Sequence, residues 1–406
     1  PKEFEGYKIA PRRKILGENV ENPNDDYIGV LGHLDVVESL DPSLWESDPF
    51  VLTERNGVLY GRGVNDDKGP LLASLYAARI VKKLKLPLKY SIRVIAGGAE
   101  ETTWECMHHY FERNAQPIMG FSPDGNFPIV NGEKGILQFQ AIFIKKDNEP
   151  ILLSCSNEKN FVCDEIKIEL DEKYLNHIRH ANQIENKLNH IRLTYKGKKS
   201  LSRNPQRGEN ALWKFVEDFR NIDLKQEALK NLIRYLDKYF VDDYYGKKAL
   251  IYNEDATMGK TSICPMSIVE TKDAYILNID YRYHKGIQID EIKVKLENQI
   301  HEFKGIFHVY NEKNFLYVDE QSKLIQSLKT AYKQVMCEEA QTLTKGGASY
   351  ARTLDNGVAF GATFENEDPF PHMPNEHMPV VSLLKALEIY TYALIQLACG
   401  NDSIEV

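Results

Sequence analysis

The sequence predicts an α/β fold, in which a mostly parallel sheet is flanked by helices and interrupted by an inserted α+β domain. The first observation is an alternation of strand-like and helix-like segments in the first third of the chain, which is typical of parallel sheets. The second is a change to β-rich stretches and polar helical patterns across the middle. The third is length, because 406 residues exceed one ordinary core and favour two domains.

The elements of the first third follow one another closely. The helical pattern at 69–84 is rich in Leu and Ala, and Asp67 and Pro70 mark its beginning. Because the carboxyl ends of parallel strands meet at one edge of a sheet, polar side chains that follow the strands are candidates for a site. The predicted elements here are strands at 27–31 and 90–96 and helices at 69–84 and 104–111.

The middle and the end of the chain differ in pattern. We predict an inserted α+β domain at 136–318 and a discontinuous α/β domain at 1–135 and 319–406. Strands are expected in the insertion at 136–144 and 275–283, with long polar helices at 209–219 and 289–303. After it we expect a helix near 322–336, a further segment at 346–354, a strand-like run at 358–364 and a terminal helix at 381–399.

Charge and cysteine usage narrow the class of protein. The net charge of -8 argues against a nucleic-acid partner, which would require clustered Lys and Arg. The six cysteines are scattered and form no CxxC pair, so we interpret them as buried thiols in a reducing compartment. No apolar run approaches the roughly 20 residues that span a bilayer. The opening Pro-Lys-Glu-Phe is no signal peptide, and we expect a cytoplasmic protein without membrane contact.

Short polar clusters carry the candidate chemistry. His33, within Gly-His-Leu-Asp at a strand end, is a good neutral ligand for zinc-like metals, and Asp35 could orient its imidazole. Asp66 lies in a Gly-rich turn before a helix and could bridge two cations, whereas Asp67 is more typical of a helix cap. Glu100 and Glu101 follow a strand, where one can bind metal while the other acts as general base.

Two weaker clusters complete the set. Asp124 lies in a Pro-Asp-Gly turn, which is ordinary turn sequence when taken alone. His372 and His377 lie near the C-terminus, and either could be a ligand or an exposed loop residue. Together, two histidines and three carboxylates could form a site for two divalent cations. A nitrogen and oxygen ligand set without thiolate suits zinc, manganese or cobalt and does not choose between them.

These clusters, in this order, resemble the aminoacylase and carboxypeptidase-G-like metallopeptidases, and among them the bacterial PepV-type dipeptidases related to carnosinases. The resemblance spans nearly the whole chain. The supporting segments are Gly32-His-Leu-Asp-Val-Val37, Leu59-Tyr-Gly-Arg-Gly63, Asp66-Asp-Lys-Gly-Pro70, Phe121-Ser-Pro-Asp124, Asn131-Gly-Glu-Lys-Gly135, Gly347-Ala-Ser-Tyr-Ala-Arg352 and His372 with Asn375-Glu376.

The resemblance implies a role for each matching residue. His33 and Asp124 would hold one metal, Glu101 and His372 the other, and Asp66 would bridge both. Glu100 would be the general base that moves a proton from water to the leaving amine. Beside the site, Asp35 would support His33, and Arg352 would bind the C-terminal carboxylate of the substrate. His377, His108 and His109 fall on no ligand position.

The resemblance also explains the insertion. PepV-type enzymes carry a lid of double size, with two ferredoxin-like halves, that imitates a dimer inside one chain. It implies a monomer, and a lid that closes over the metals and restricts substrates to dipeptides. Within the lid, Asn160 is the plausible polar contact to substrate.

One lid motif departs from the family. The segment Gly197-Lys-Lys-Ser-Leu201 stands where relatives carry Gly-Lys-Ser-Ala-His, so Leu201 replaces a histidine that steadies the tetrahedral oxyanion. Losing one such donor typically costs ~10²–10³ in rate. Another lid residue could serve, and His177, His180 and His190 are unranked candidates. Ala99 also stands where an Asp usually precedes the Glu pair.

Three functions stay open at this point. The first is a metal-dependent dipeptidase. The second is an amidohydrolase of N-acyl amino acids, such as a deacetylase or desuccinylase, since Arg352 serves either substrate carboxylate. The third is a catalytically weak metal-binding homologue, because the lid histidine is replaced by Leu201.

Overall fold

The computed structural model describes residues 8–9, 16–17, 26–146, 151–187 and 190–399. The chain divides into two compact units. Unit 1 comprises Pro1–Glu133 and Leu316–Val406, and unit 2 comprises Lys134–Phe315. The opening Pro-Lys-Glu-Phe, on which the signal-peptide interpretation depends, lies outside the described residues.

The strands and helices are numbered in chain order. Those up to the middle of unit 2 are β1 (Lys8–Ile9), β2 (Leu16–Gly17), β3 (Tyr27–His33), β4 (Thr53–Arg55), β5 (Val58–Tyr60), α1 (Lys68–Leu84), β6 (Ser91–Gly97), α2 (Glu105–Phe111), β7 (Met119–Ser122), β8 (Ile129–Glu133), β9 (Gly135–Ile144), β10 (Leu152–Cys155), β11 (Glu165–Asp171), β12 (Gln183–Lys187), β13 (His190–Lys196), α3 (Ala211–Phe219) and α4 (Glu227–Tyr239). The remainder are β14 (Glu254–Asp255), β15 (Gly259–Lys260), β16 (Ser262–Glu270), β17 (Ala274–Tyr283), α5 (Ile289–Glu302), β18 (Ile306–Lys313), β19 (Leu316–Tyr317), α6 (Lys323–Met336), β20 (Thr342–Lys345), β21 (Gly357–Ala359), β22 (His377–Pro379) and α7 (Val380–Cys399).

Unit 1 is built on a seven-stranded sheet in the order β19-β8-β21-β7-β3-β6, with β20 paired to β8. β3 runs parallel to both β6 and β7, and β21 runs parallel to β7. Only β19 with β8 and β21 with β8 pair antiparallel among the described strands of this sheet. The predicted α/β fold class with a mostly parallel sheet is therefore confirmed.

Helices α1, α6 and α7 pack together on this sheet. α1 buries its small and apolar face, including Leu71, Ala77 and Val81, and ends where Lys85 adopts a left-handed conformation. By length and composition alone, α7 could cross a membrane, which differs from the expectation that no run is long enough. Its Ile389 and Leu394 are fully buried in the core of unit 1, as in a core helix of a globular domain.

Unit 2 contains two four-stranded antiparallel sheets, in the orders β10-β11-β13-β12 and β16-β17-β9-β18. Helix α3 packs on β11 and β13, α4 packs on β9 and β17, and α5 packs on β18. One apolar cluster includes buried residues from both sheets and all three helices. This is the α+β character that the sequence predicts for the insertion.

Three local expectations were wrong. α3 begins at Ala211 instead of 209. It is mostly buried and apolar, where a polar helix was expected, because it packs against β11, β13 and α4. The run 358–364 forms a strand only at Gly357–Ala359, after which Gly361 adopts a positive φ. The cysteines are not all buried, since Cys337 is exposed and Cys106 and Cys155 are half-buried.

Candidate metal centre

The candidate ligands lie at the carboxyl ends of neighbouring parallel strands of unit 1. His33 ends β3, Glu100 and Glu101 follow β6, and Asp124 follows β7. Asp66 precedes α1. Because β3 lies between β6 and β7, the topology alone brings these groups to one edge of the sheet.

The structure brings five predicted ligands into two groups that share one residue. His33, Asp66 and Asp124 form one group, and Asp66, Glu101 and His372 form the other, with the ligand atoms of each within 4.8 Å of one another. Asp66 belongs to both through different oxygens. Its Oδ1 is 2.9 Å from His33 Nε2, and its Oδ2 is 3.0 Å from His372 Nε2.

Glu101 and Asp124 each contact one of the two imidazoles. Glu101 Oε1 lies 3.1 Å from His372 Nε2, and Asp124 Oδ2 lies 4.0 Å from His33 Nε2. His372 adopts a positive φ of 63°, a backbone conformation that costs energy for a non-glycine residue and that clusters at functional sites. The side chain of Asp66 thus contacts a histidine of each ligand group, as a ligand that bridges two cations must.

The charges in this cluster perturb one another strongly. Burial opposes the imidazolium of His33, but the hydrogen bond to Asp66 and the charges of Asp67 and Asp124 outweigh it and raise the pKa of His33 to about 12. Hydrogen bonds to Asp66 and Glu101 raise the pKa of His372 to about 10. Burial and the neighbouring Asp66 raise the pKa of Asp124 to about 7. Without cations, protons on the imidazoles compensate the carboxylates.

Glu100 stands apart from these pairs. Its Oε1 is buried and has no hydrogen-bond partner among the described residues. Burial, and then the charge of Asp124, raise its pKa well above the usual value for Glu. A buried carboxylate next to other carboxylates is costly unless cations are near. The donor set of imidazole nitrogens and carboxylate oxygens therefore fits divalent zinc, manganese or cobalt.

Asp35 positions the glutamates as well as the histidine. The contact to His33 Nδ1 runs through the backbone carbonyl of Asp35, at 2.8 Å, while Asp35 Oδ1 is 3.6 Å from the same nitrogen. The carboxylate accepts hydrogen bonds from the backbone N–H of Glu100 at 3.2 Å and of Glu101 at 3.1 Å. Asp35 thus fixes the turn that carries the candidate base Glu100 and the candidate ligand Glu101.

Glu376 is a positioning residue to which the sequence analysis gave no role, although it lies in a recognised motif. It is fully buried, and its carboxylate accepts a hydrogen bond from Arg62 Nη1 at 2.7 Å. It also accepts from the backbone N–H groups of Gly63, Asn65 and Asp66, at 2.9 to 3.1 Å. Glu376 therefore holds the turn that presents Asp66.

Tyr350 contacts residues at the same edge of the sheet, namely His33 and Ala99. Its ring is fully buried and meets His33 edge-on with centroids 6.1 Å apart. Its hydroxyl accepts a hydrogen bond from the backbone N–H of Ala99 at 3.3 Å and lies 2.8 Å from Cys106 Sγ. The Ala99 backbone, next to Glu100, is thereby anchored.

The two predicted substrate-binding residues occupy different surroundings. The side chain of Arg352 is 4% exposed, and it donates to Glu133 Oε2 and to the Gly347 carbonyl, each at 2.7 Å. Asn160 lies in unit 2 and accepts a hydrogen bond from Gln138 Nε2 at 2.8 Å. Neither residue is a member of the two ligand groups described above, and their contact with substrate stays a prediction.

The three histidines considered as substitutes at Leu201 are His177, His180 and His190, and all of them lie in unit 2. Leu201 forms a β-bridge with Phe161. His180 instead lies against α3, with Nδ1 2.7 Å from Asp218 Oδ1 and Nε2 3.5 Å from Glu217. His177 ends a short 3-10 helix, and His190 begins β13.

We predict that Glu376→Ala lowers the free energy of unfolding by about 3–5 kcal/mol, because it leaves the buried Arg62 and three backbone donors unpaired. Chemical denaturation measures the change. The matched control is Glu46→Ala, which breaks an exposed ion pair with Arg55 and should cost at most about 1 kcal/mol. Equal effects of the two substitutions would contradict this role for Glu376.

We also predict that binding of a divalent cation tightens as the pH rises. The raised pKa values of His33 and His372 mean that a cation must displace protons, so binding releases them and becomes easier when they are fewer. Calorimetric titration with Mn²⁺ in buffers of different ionisation enthalpy measures the release. The control is His108→Ala, which changes an exposed histidine and should leave the proton release on Mn²⁺ binding unaltered. Affinity that is independent of pH would disprove the prediction.

Comparison with known proteins identifies the family of the chain. Residues 29–396 match Peptidase family M20/M25/M40. A proposed dipeptidase of Staphylococcus saprophyticus is 30% identical over 421 residues, covering 96% of this chain and 89% of the relative. A proposed dipeptidase of Staphylococcus aureus is 29% identical over 418 residues, covering 97% and 87%.

Solved structures show the same fold. An M20 family metallo-carboxypeptidase from Sulfolobus solfataricus superposes with a TM-score of 0.58 at 16% identity, covering 96% of this chain and 89% of that one. Human carnosine dipeptidase 1 gives a TM-score of 0.55 at 16% identity, covering 95% and 83%. The match over nearly the whole described chain shows that this protein belongs to Peptidase family M20/M25/M40 and is a hydrolase that acts on peptide bonds.

Proposed function

We propose that this chain is a dipeptidase that holds two divalent cations, with zinc as the first candidate and manganese or cobalt as alternatives. His33 and Asp124 would hold one cation, Glu101 and His372 the other, and Asp66 would bind both. The observation that carries the proposal is the double contact of Asp66, whose two oxygens face two separate imidazoles. The names of the staphylococcal relatives support a dipeptide as substrate.

The residues of the chain supply proton transfer and positioning. When bound, divalent cations polarise the scissile carbonyl and lower the pKa of a nearby water. Glu100 takes the proton from that water and delivers it to the leaving amine. Burial, and then the charge of Asp124, raise the pKa of Glu100 well above its usual range, and a more basic carboxylate accepts a proton more readily. Asp35 keeps Glu100 in place through its backbone N–H.

The finer parts of the proposal concern unit 2 and the setting of the enzyme. We assign unit 2 as the lid, with Asn160 as a substrate contact, and infer a monomer because the insertion is of the larger kind. Arg352 remains our candidate for the substrate carboxylate, although its ion pair with Glu133 would have to open for that purpose. The free state of all six cysteines supports a reducing, cytoplasmic location.

We expect Glu100→Gln to lower kcat by about 10²–10⁴ while two cations still bind, because the substitution removes the base and retains the ligands. Steady-state kinetics and metal analysis on the same sample measure both quantities. The control is Glu105→Gln, an exposed residue in the first turn of α2, which should keep full activity. Turnover that survives Glu100→Gln would refute the assignment of the base.

A substrate panel separates the dipeptidase from its alternatives. The protein is stripped with chelator, reloaded with zinc, manganese or cobalt, and given dipeptides beside N-acyl amino acids. We expect turnover of dipeptides only after reloading, since the buried carboxylates need cations. Faster turnover of N-acyl amino acids than of dipeptides would favour an amidohydrolase. No turnover with any metal would favour a metal-binding homologue that is inactive because Leu201 occupies the position expected for a histidine.

A further inference from the structure

Two cysteines of unit 2 face each other closely. Cys155 ends β10, Cys163 precedes β11 by two residues, and their Sγ atoms are 2.9 Å apart. A disulfide needs about 2.03–2.05 Å between sulfurs, so the thiols are separated by about 0.9 Å more than a bond. The metal centre uses neither residue, because it lies entirely in unit 1.

The backbone around the pair fixes this approach. Cys155 pairs with Ile166 in the antiparallel ladder of β10 and β11. The next residue, Ser156, donates its N–H to the Glu165 carbonyl at 2.9 Å, and its Oγ accepts from the N–H of Asp164 at 3.2 Å. Ser156, which follows Cys155, is therefore tied to Asp164 and Glu165, which follow Cys163, and the thiols are held side by side.

Exposure differs between the two thiols. Cys155 is half-buried, whereas Cys163 is fully buried, and that burial raises the pKa of the Cys163 thiol. A dissolved oxidant therefore meets Cys155 first. The chain offers a matched comparison in Cys106, which is also half-buried but whose sulfur faces the hydroxyl of Tyr350.

We propose that Cys155 and Cys163 form a covalent modification site, at which a low-molecular-weight disulfide oxidises the two thiols to an intramolecular disulfide. The Cys155 thiolate attacks one sulfur of the oxidant, forms a mixed disulfide and releases one thiol. Cys163 then attacks the Cys155 sulfur, loses its proton and displaces the second thiol. Two protein thiols are oxidised, and one small disulfide is reduced to two thiols.

The bond would close a ring through the segment that carries Asn160. That segment is hydrogen-bonded to its neighbour in unit 2, because the N–H of Val162 donates to the Ser200 carbonyl and the N–H of Ser202 donates to the Asn160 carbonyl. Leu201 lies between these two bonds. Oxidation would therefore link residues 160–162, to which the Leu201 segment is hydrogen-bonded, covalently to the end of β10.

The experiment uses the full chain, equilibrated without oxygen in mixtures of reduced and oxidised glutathione, then acid-quenched, alkylated and mapped by mass spectrometry. We expect Cys155 and Cys163 to lose alkylation together, to appear as one linked peptide, and to oxidise at a glutathione ratio at least tenfold more reducing than Cys106 requires. If both stay alkylatable wherever Cys106 does, or if Cys155 appears only as a mixed disulfide, the proposal is overturned.

Single variants test the order of the two steps. In Cys163→Ala, the reaction should stop at a glutathione adduct on Cys155, and in Cys155→Ser, Cys163 should stay reduced because its own access is blocked. The mechanism would be contradicted if Cys155 formed an intramolecular disulfide in Cys163→Ala. It would also be contradicted if Cys163 rapidly formed a glutathione adduct in Cys155→Ser. Since the native chain supplies the primary result, a variant that fails to fold does not remove the test.

Discussion

The site depends on one carboxylate that two imidazoles share. Asp66 meets His33 through Oδ1 and His372 through Oδ2, so one side chain connects the first strand of the main sheet to a loop just before the last helix. A carboxylate in this position can satisfy both groups only if its turn is held rigidly. The surrounding structure supplies that rigidity through two acids that are not themselves candidate ligands, buried Glu376 and half-buried Asp35.

These supporting acids work through the backbone. Glu376 accepts hydrogen bonds from the backbone N–H groups of Gly63, Asn65 and Asp66, and Asp35 accepts them from Glu100 and Glu101. Hydrogen bonds from backbone N–H donors to charged carboxylates are among the stronger ones, which makes each turn stiff. Loss of either acid would displace ligands that it never touches through their side chains. The candidate base thereby gains a fixed position while its own Oε1 stays unpaired.

Much of this could be predicted from the sequence, and the failures share a physical origin. Long periodic segments such as β3, α1 and α7 were predicted within one or two residues, because their burial pattern is local. The role of Glu376 and the ion pair of Arg352 with Glu133 were missed, since their partners lie far along the chain and include backbone donors. No local pattern marks such contacts. The ligand residues could be proposed only because several motifs occurred together in one order.

The Leu201 segment of unit 2 is the place where the family resemblance leads us to expect a histidine. Beside Leu201, the hydroxyl of Ser202 donates to buried Asp280, which also pairs with Arg282 and accepts from Gln138. The Leu201 segment is thus anchored in a buried polar network. We therefore propose that Leu201 affects the rate of turnover, which can be measured separately from metal binding.

Metal content tests the central claim most directly. The protein is saturated with zinc, dialysed free of excess metal and measured by elemental mass spectrometry against protein concentration. Two ions per chain are predicted for the native protein, a single ion for Asp124→Ala, and none retained by Asp66→Ala, because only Asp66 serves both groups. A single ion in the native protein, or two ions retained without Asp66, would contradict the shared-carboxylate centre.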